Sequence, residues 1–336
     1  MPKLINQGAN GCIYKPHIQC DNEPISNKYI SKVQIVNQSM LEIRIGEQLM
    51  KIPNYELYFA PIISHCPVEL SKIEDELVNC NSINEDLARN PSSKFVSNKI
   101  KYVGKMHIYD FFVNHPTCIL EAHLDLLHSL DILWKTNIVH FDLKYNNIIY
   151  DEQLKCPIII DFGSSYLTHD VIHAVYHNYK DLIRGQYCID VVLISYILTK
   201  DLTQPINKDE VDNVCDEFAK NSIFEYCELP DNFIVDLKVD LKREGTWRAL
   251  MDTLIANQSY WDNYALSVTI LVFISNSAHA YKTMLEKVIF AMPSKRPSIQ
   301  DVRNELLLIK EFKNISNQSL ELFKLQTMRD DEIRSE

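Results

Sequence analysis

Glycine is scarce in this chain, with 7 in 336 residues, so each one carries more positional meaning than usual. Positive charge is short as well: 34 Lys and Arg stand against 45 Asp and Glu, a formal net charge of −11. A surface of that sign repels phosphodiester backbones, which argues against nucleic acid as a partner. Long apolar runs are missing. Val191–Leu198 and Leu266–Ile274 fall far short of the roughly 20 residues that cross a bilayer, and no apolar leader opens the chain. No membrane partner is therefore expected. The nine cysteines contain no CxxC pair and no metal-ligand spacing, and their number is odd. They read as reduced thiols of a soluble, intracellular protein, not as a disulfide framework.

What is present suffices for a folded core: 46% of residues are hydrophobic, and the length suits two compact units. Extended runs over Leu4–Tyr14 and Tyr29–Val36 are bounded by turn residues and read as strands. Apolar positions Met40, Ile43, Leu49 and Ile52 recur with helical spacing, and Pro53 ends that helix. The polar stretch Ser71–Asn98 reads as an insertion or long loop before a strand over Lys101–Met106. Ile119–Trp134 is an amphipathic helix, followed by short strands at Asn147–Tyr150 and Pro157–Ile160. Strands first and helices later is an α+β order. The expected division is 1–108, with an insertion at about 66–98, then 109–312, then a charged tail over 313–336.

The strongest chemical signal is His140-Phe141-Asp142-Leu143-Lys144-Tyr145-Asn146-Asn147, with Asp161-Phe162-Gly163 following 19 residues after Asp142. One loop thus offers a carboxylate, an ammonium and an amide, and a second carboxylate comes directly after a buried strand. Such a set can place a hydroxyl, neutralise phosphate charge and supply hard oxygen ligands for Mg²⁺. These residues resemble the catalytic loop and DFG motif of eukaryotic-type protein kinases, serine/threonine class. Asn6-Gln7-Gly8-Ala9-Asn10-Gly11-Cys12-Ile13 resembles the GxGxxGxV loop, with Asn6 replacing the first glycine. Ile30-Ser31-Lys32-Val33 resembles the VAIK strand, 21 residues beyond Gly11. Gln7–Pro16, Ile52–Cys66 and Trp261–Ser267 are most similar to kinases of large nucleocytoplasmic DNA viruses.

The resemblance implies a bilobal protein-kinase-like fold, with a small β-rich N-lobe and a larger helical C-lobe. It implies Asp142 as catalytic base, Lys144 on the γ-phosphate, and Asn147 and Asp161 as metal ligands. Asn6, Gly8, Gly11, Ile13, Lys32, Glu42 and Asn147 would form the nucleotide site, with Glu42 as partner of Lys32 and Glu47 as its alternative. ATP and Mg²⁺, or Mn²⁺ in its place, are the implied cofactors. A protein hydroxyl is the implied acceptor, and host cytoplasm or virion the implied location. Asp262, in Trp261–Ser267, and Asp190 compete for the aspartate that braces the catalytic loop. On the Asp262 option, Asp190 pairs with Arg296 of Lys295-Arg296-Pro297-Ser298.

Two departures matter. Phe141 stands where many kinases carry the arginine that receives an activation-loop phosphate, so that switch is expected to be missing. No APE sequence follows Gly163. The alternatives are a pseudokinase that only binds ATP and a kinase-like phosphotransferase acting on a small molecule. Lys144 and Gly163 favour a protein acceptor. The histidines His107, His123, His128, His169, His173 and His177 show no ligand-like grouping with cysteine and read as packing residues.

Overall fold

The computed structural model describes residues 2–8, 11–20, 24–77, 79–183, 185, 187–221, 224, 227–274 and 279–309. Residues 9 and 10 of the glycine turn and the 313–336 tail lie outside them. The chain divides into two compact units, 1–108 with 132–174, and 109–131 with 175–336. Both helices and sheets are present, an α+β composition. A cut at residue 108 alone does not separate the units, because residues 132–174 pack with the first 108.

Alternation builds the first sheet. In β2 (Gly11–Lys15), paired to β1 (Lys3–Gly8), Cys12 and Tyr14 are buried while Ile13 and Lys15 turn to the other face. β3 (Tyr29–Ile35) follows, then helix α1 (Val36–Leu49), which buries Glu42, Ile43, Ile45 and Leu49. β4 (Phe59–Ala60) and β5 (Ile62–Pro67) lead to short α2 (Glu74–Leu77), α3 (Asn81–Arg89) and β6 (Phe95–Lys101). The five-stranded antiparallel order is β1-β2-β3-β6-β5. Gly11 has φ +153°, and a Cβ there would collide with the Val33 carbonyl oxygen, so β2 approaches β3 only with glycine at this point.

Three expectations are corrected here. Of the two readings of Ser71–Asn98, insertion or long loop, the long loop does not hold: the stretch carries α2, α3 and the start of β6, and Ile73 and Ile83 are buried with Tyr14, Val33 and Phe95. The strand lies at Phe95–Lys101 and not at Lys101–Met106, because Phe95 and Val96 supply the burial. The cysteines are not all reduced. Cys12 is joined to Cys80 and Cys20 to Cys66, and the pairs come from segments 68 and 46 residues apart.

The chain then passes through α4 (Ile108–Asn114) and α5 (Ile119–Lys135). Back in the first unit, β7 (Ile138–Val139) pairs with β10 (Tyr166–Leu167), and β8 (Ile148–Asp151) with β9 (Cys156–Ile160). β9 also runs parallel to β4, which ties the 140–161 region to the N-terminal residues. A short α6 (Val171–Ala174) closes this unit.

The described elements of the second unit from residue 175 onward are helical. They include α7 (Tyr179–Ile183), α8 (Ile189–Ile197), α9 (Lys208–Phe218), α10 (Phe233–Leu241), α11 (Trp247–Ile255), α12 (Gln258–Leu271), α13 (His279–Ile289) and α14 (Ile299–Leu308). Val191 to Ile194 of α8 and nearly every residue of α12 are buried. His123 is a packing residue: its Nδ1 lies 2.9 Å from Tyr281 Oη, and burial pushes its pKa down to about 3. Among the described residues, no helix is long and apolar enough to cross a membrane.

Candidate active site

Lys32 sits on β3, at the strand position opposite Ile13 of β2. Its ammonium donates to Glu42 Oε2 and to Asp161 Oδ1, each at 2.8 Å. Glu42 is on the buried face of α1, whereas Glu47 is exposed. Gln34 Nε2 approaches the same Glu42 oxygen at 3.4 Å. Burial drives the Lys32 pKa down, but two carboxylates outweigh it, and the pKa stands above its ordinary value. For Glu42, burial outweighs Lys32 and the pKa is raised. Asp161 is half-exposed; burial opposes its charge, but the Lys32 ammonium prevails and holds its pKa below normal.

The loop over residues 140–147 forms a second group. Lys144 Nζ donates to both Asp142 oxygens at 2.9 Å. Asn147 Nδ2 donates to the Asp142 carbonyl at 2.8 Å and to its Oδ2 at 3.0 Å. The loop is pinned from behind: Ser165 Oγ donates to the His140 carbonyl at 3.1 Å, and His140 Nε2 lies 3.1 Å from the Ile160 carbonyl. Phe141 and Asp161 have φ of 68° and 61°. Non-glycine residues in that region cost energy and need a surrounding structure that holds them. At Phe141 the hold is burial against Tyr166, ring edge to ring face at 5.4 Å.

Both groups border one cavity of about 1100 Å³. Of the residues singled out in the sequence, Asn6, Gly8, Ile13, Lys32, Glu42, Asn147 and Asp161 line it. Asp142 and Lys144 are not in the lining; Asp142 accepts from Asn147 Nδ2, while Gly11 lies against the Val33 carbonyl of β3. Gly163 has a role that motif matching does not reveal. A Cβ there would lie 3.3 Å from Asp161 Oδ1, 3.4 Å from Glu42 Oε2 and 3.5 Å from Lys32 Nζ, so glycine leaves the ion cluster room. Gln34 was also missed; a polar strand residue beside the lysine carries no signal in one sequence.

In the second unit, Asp190 is taken up by Arg296, whose Nη2 and Nε both reach its carboxylate, and by Asn257 Nδ2 at 3.1 Å. Of the two aspartates weighed for the bracing role, Asp190 is thus engaged by the arginine. Asp262 lies buried on α12.

Asp161 presents a half-exposed carboxylate to the cavity, and Asn147 presents an amide. That donor set fits a Mg²⁺ that takes one or two protein oxygens and completes its shell with phosphate and water. Among the described residues, no group of three or more His, Cys, Asp or Glu side chains could hold a metal by itself. Comparison with protein-family models and with curated proteins finds no match.

Proposed function

We propose that this chain is a protein serine/threonine kinase with a protein-kinase-like bilobal fold, transferring the γ-phosphate of ATP to a protein hydroxyl. The observation that carries the reading is Lys32, bound at 2.8 Å to both Glu42 and Asp161 on the wall of a cavity that Asn147 also lines. A lysine fixed by a buried glutamate is a placed point charge for α- and β-phosphate oxygens. Asp161 and Asn147 would hold Mg²⁺, which supplies charge neutralisation on the phosphates. On this reading Asp142 would orient the acceptor hydroxyl and take its proton. Lys144 would turn from Asp142 to the transferred phosphate. Gly8 leaves the cavity wall open for close backbone approach, with no atom within 4 Å of where a Cβ would stand.

The test is transfer of labelled phosphate from ATP to casein, with and without Mg²⁺, by wild type and Asp142→Asn. Expected is Mg²⁺-dependent label on serine and threonine, reduced about 10²–10⁴-fold by the substitution. ATP binding with equal, background labelling by both proteins would indicate a non-catalytic nucleotide-binding chain instead.

A further inference from the structure

Part of the cavity lining is basic and is not used by the transfer chemistry. Lys3, Lys15, Lys101 and Lys105 belong to it, in a chain whose net charge is −11. Among the described residues, the carboxylates in the lining are Glu42 and Asp161, and both are bound to Lys32. Among the described residues, none of those four lysines has a carboxylate partner. Sheet geometry brings two of them together: Lys3 faces Lys15 across β1 and β2, and Lys15 follows Ile13 by two positions, on the same strand face. Lys15 is held in place, its ammonium 3.1 Å above the Tyr102 ring. Partial burial first, and then the neighbouring Lys105 ammonium, lower its pKa.

We propose that this basic part of the lining is a phosphate subsite of the cavity, taking a phosphate group that is not part of the ATP triphosphate. Lysines bind as point charges, and several around one opening match the charge of a phosphate dianion better than that of a single carboxylate. Two sources share this chemistry: a phosphate on the ribose of a bound nucleotide, and free phosphate. The ribose source rests on the nucleotide reading given above; the free source does not.

The test is calorimetric titration of the whole chain with adenosine 5′-monophosphate, adenosine 3′,5′-bisphosphate and inorganic phosphate. It is repeated with Lys15→Gln/Lys105→Gln and, as an independent pair, Lys3→Gln/Lys101→Gln. A bisphosphate that binds about tenfold tighter than the monophosphate, with the advantage falling below about twofold in the variants, supports the ribose source. Inorganic phosphate binding that weakens about tenfold in the variants and with added salt, without any bisphosphate advantage, supports the free source. Equal binding of the two nucleotides, with inorganic phosphate binding absent or unchanged by the substitutions, overturns the subsite. If neither nucleotide binds, the kinase reading fails, and the inorganic phosphate titration alone decides the subsite.

Discussion

Lys144 Nζ lies 2.9 Å from each carboxylate oxygen of Asp142, so the ammonium and the expected base neutralise one another within one loop. The pair is part-exposed, which leaves the lysine free to turn toward a phosphate when one is bound. Lys144→Ala should then lower kcat about 10–100-fold while ATP affinity changes less than about threefold, since the interaction forms only as the phosphate transfers. Equilibrium binding and steady-state kinetics on one preparation measure this. A variant that loses affinity and keeps kcat would place Lys144 in ground-state binding.

Glu42 and Lys32 predict a pH-dependent cost. Lys32→Met leaves a glutamate with 3% side-chain exposure and no ammonium beside it. The folded pKa of Glu42, already raised, must rise further. An acid whose folded pKa exceeds its unfolded value of about 4.3 binds more protons when folded, so stability falls as pH rises through that window. Urea unfolding should show a loss of about 3–5 kcal/mol near pH 8 and a smaller loss near pH 5. Lys32→Met/Glu42→Gln should recover part of the loss at the higher pH. Asp161 runs the other way: its depressed pKa gives stability above about pH 3.9, lost as pH falls through the folded value. Losses that are identical at both pH values would mean that Glu42 is not the titrating partner.

The cysteine pairing can be counted. Nine cysteines, of which Cys118, Cys156, Cys188, Cys215 and Cys227 are free, predict five thiols in denaturant before reduction and nine after. Both bridges close long loops, and in the chain-entropy account each stabilises by about 4 kcal/mol. Reduction should therefore lower the urea midpoint substantially. Nine thiols before reduction would return the chain to the reduced state expected from its sequence, and would suit a reducing compartment.

The parts of the site that were legible in sequence are those carried by short, ordered motifs. Asp142 to Asn147 lie on one loop, and Lys32 and Glu42 are ten residues apart at a strand-to-helix junction, so the resemblance to kinase motifs could single them out together. The β6 strand was hidden because Ser97 and Asn98, one on each face, are polar yet buried. Ser97 Oγ donates to Ser31 Oγ at 2.9 Å and Asn98 Nδ2 to Ser39 Oγ at 2.7 Å, so residues that look solvated are buried and bonded. The Cys12–Cys80 bridge was hidden by distance along the chain and by an odd cysteine count. The four lysines of the cavity's basic lining come from β1, β2 and the end of β6 with the residues just after it. Strand pairing sets Lys3 opposite Lys15, a closeness that their spacing in sequence does not signal.

Phe141 bears on regulation. Its ring is buried against Tyr166 and offers no donor to a phosphate. Treatment with a phosphatase should leave the transfer rate within about twofold of the untreated protein, because no arginine at this position waits for a phosphorylated activation segment. A loss of turnover that returns on rephosphorylation would show that another cation performs that task.

Arg296 and Asp190 form an ion pair with side-chain exposures of 5% and 0%. The guanidinium also lies 4.3 Å from the centre of the Tyr260 ring, and its Nη1 donates to Tyr260 Oη at 3.2 Å. Two buried charges of this kind are held by each other; desolvation makes either one costly alone. Arg296→Met should destabilise by about 3–5 kcal/mol, and Asp190→Leu by a similar amount. Arg296→Lys should also fail to restore full stability, because an ammonium cannot serve Asp190 through two donors while stacking on Tyr260. The double variant Arg296→Met/Asp190→Leu removes both charges, and should lose clearly less than the sum of the single losses. Urea unfolding of the four variants closes the cycle. Simple additivity would mean that the two side chains act independently, and the pair would then have no structural role of its own.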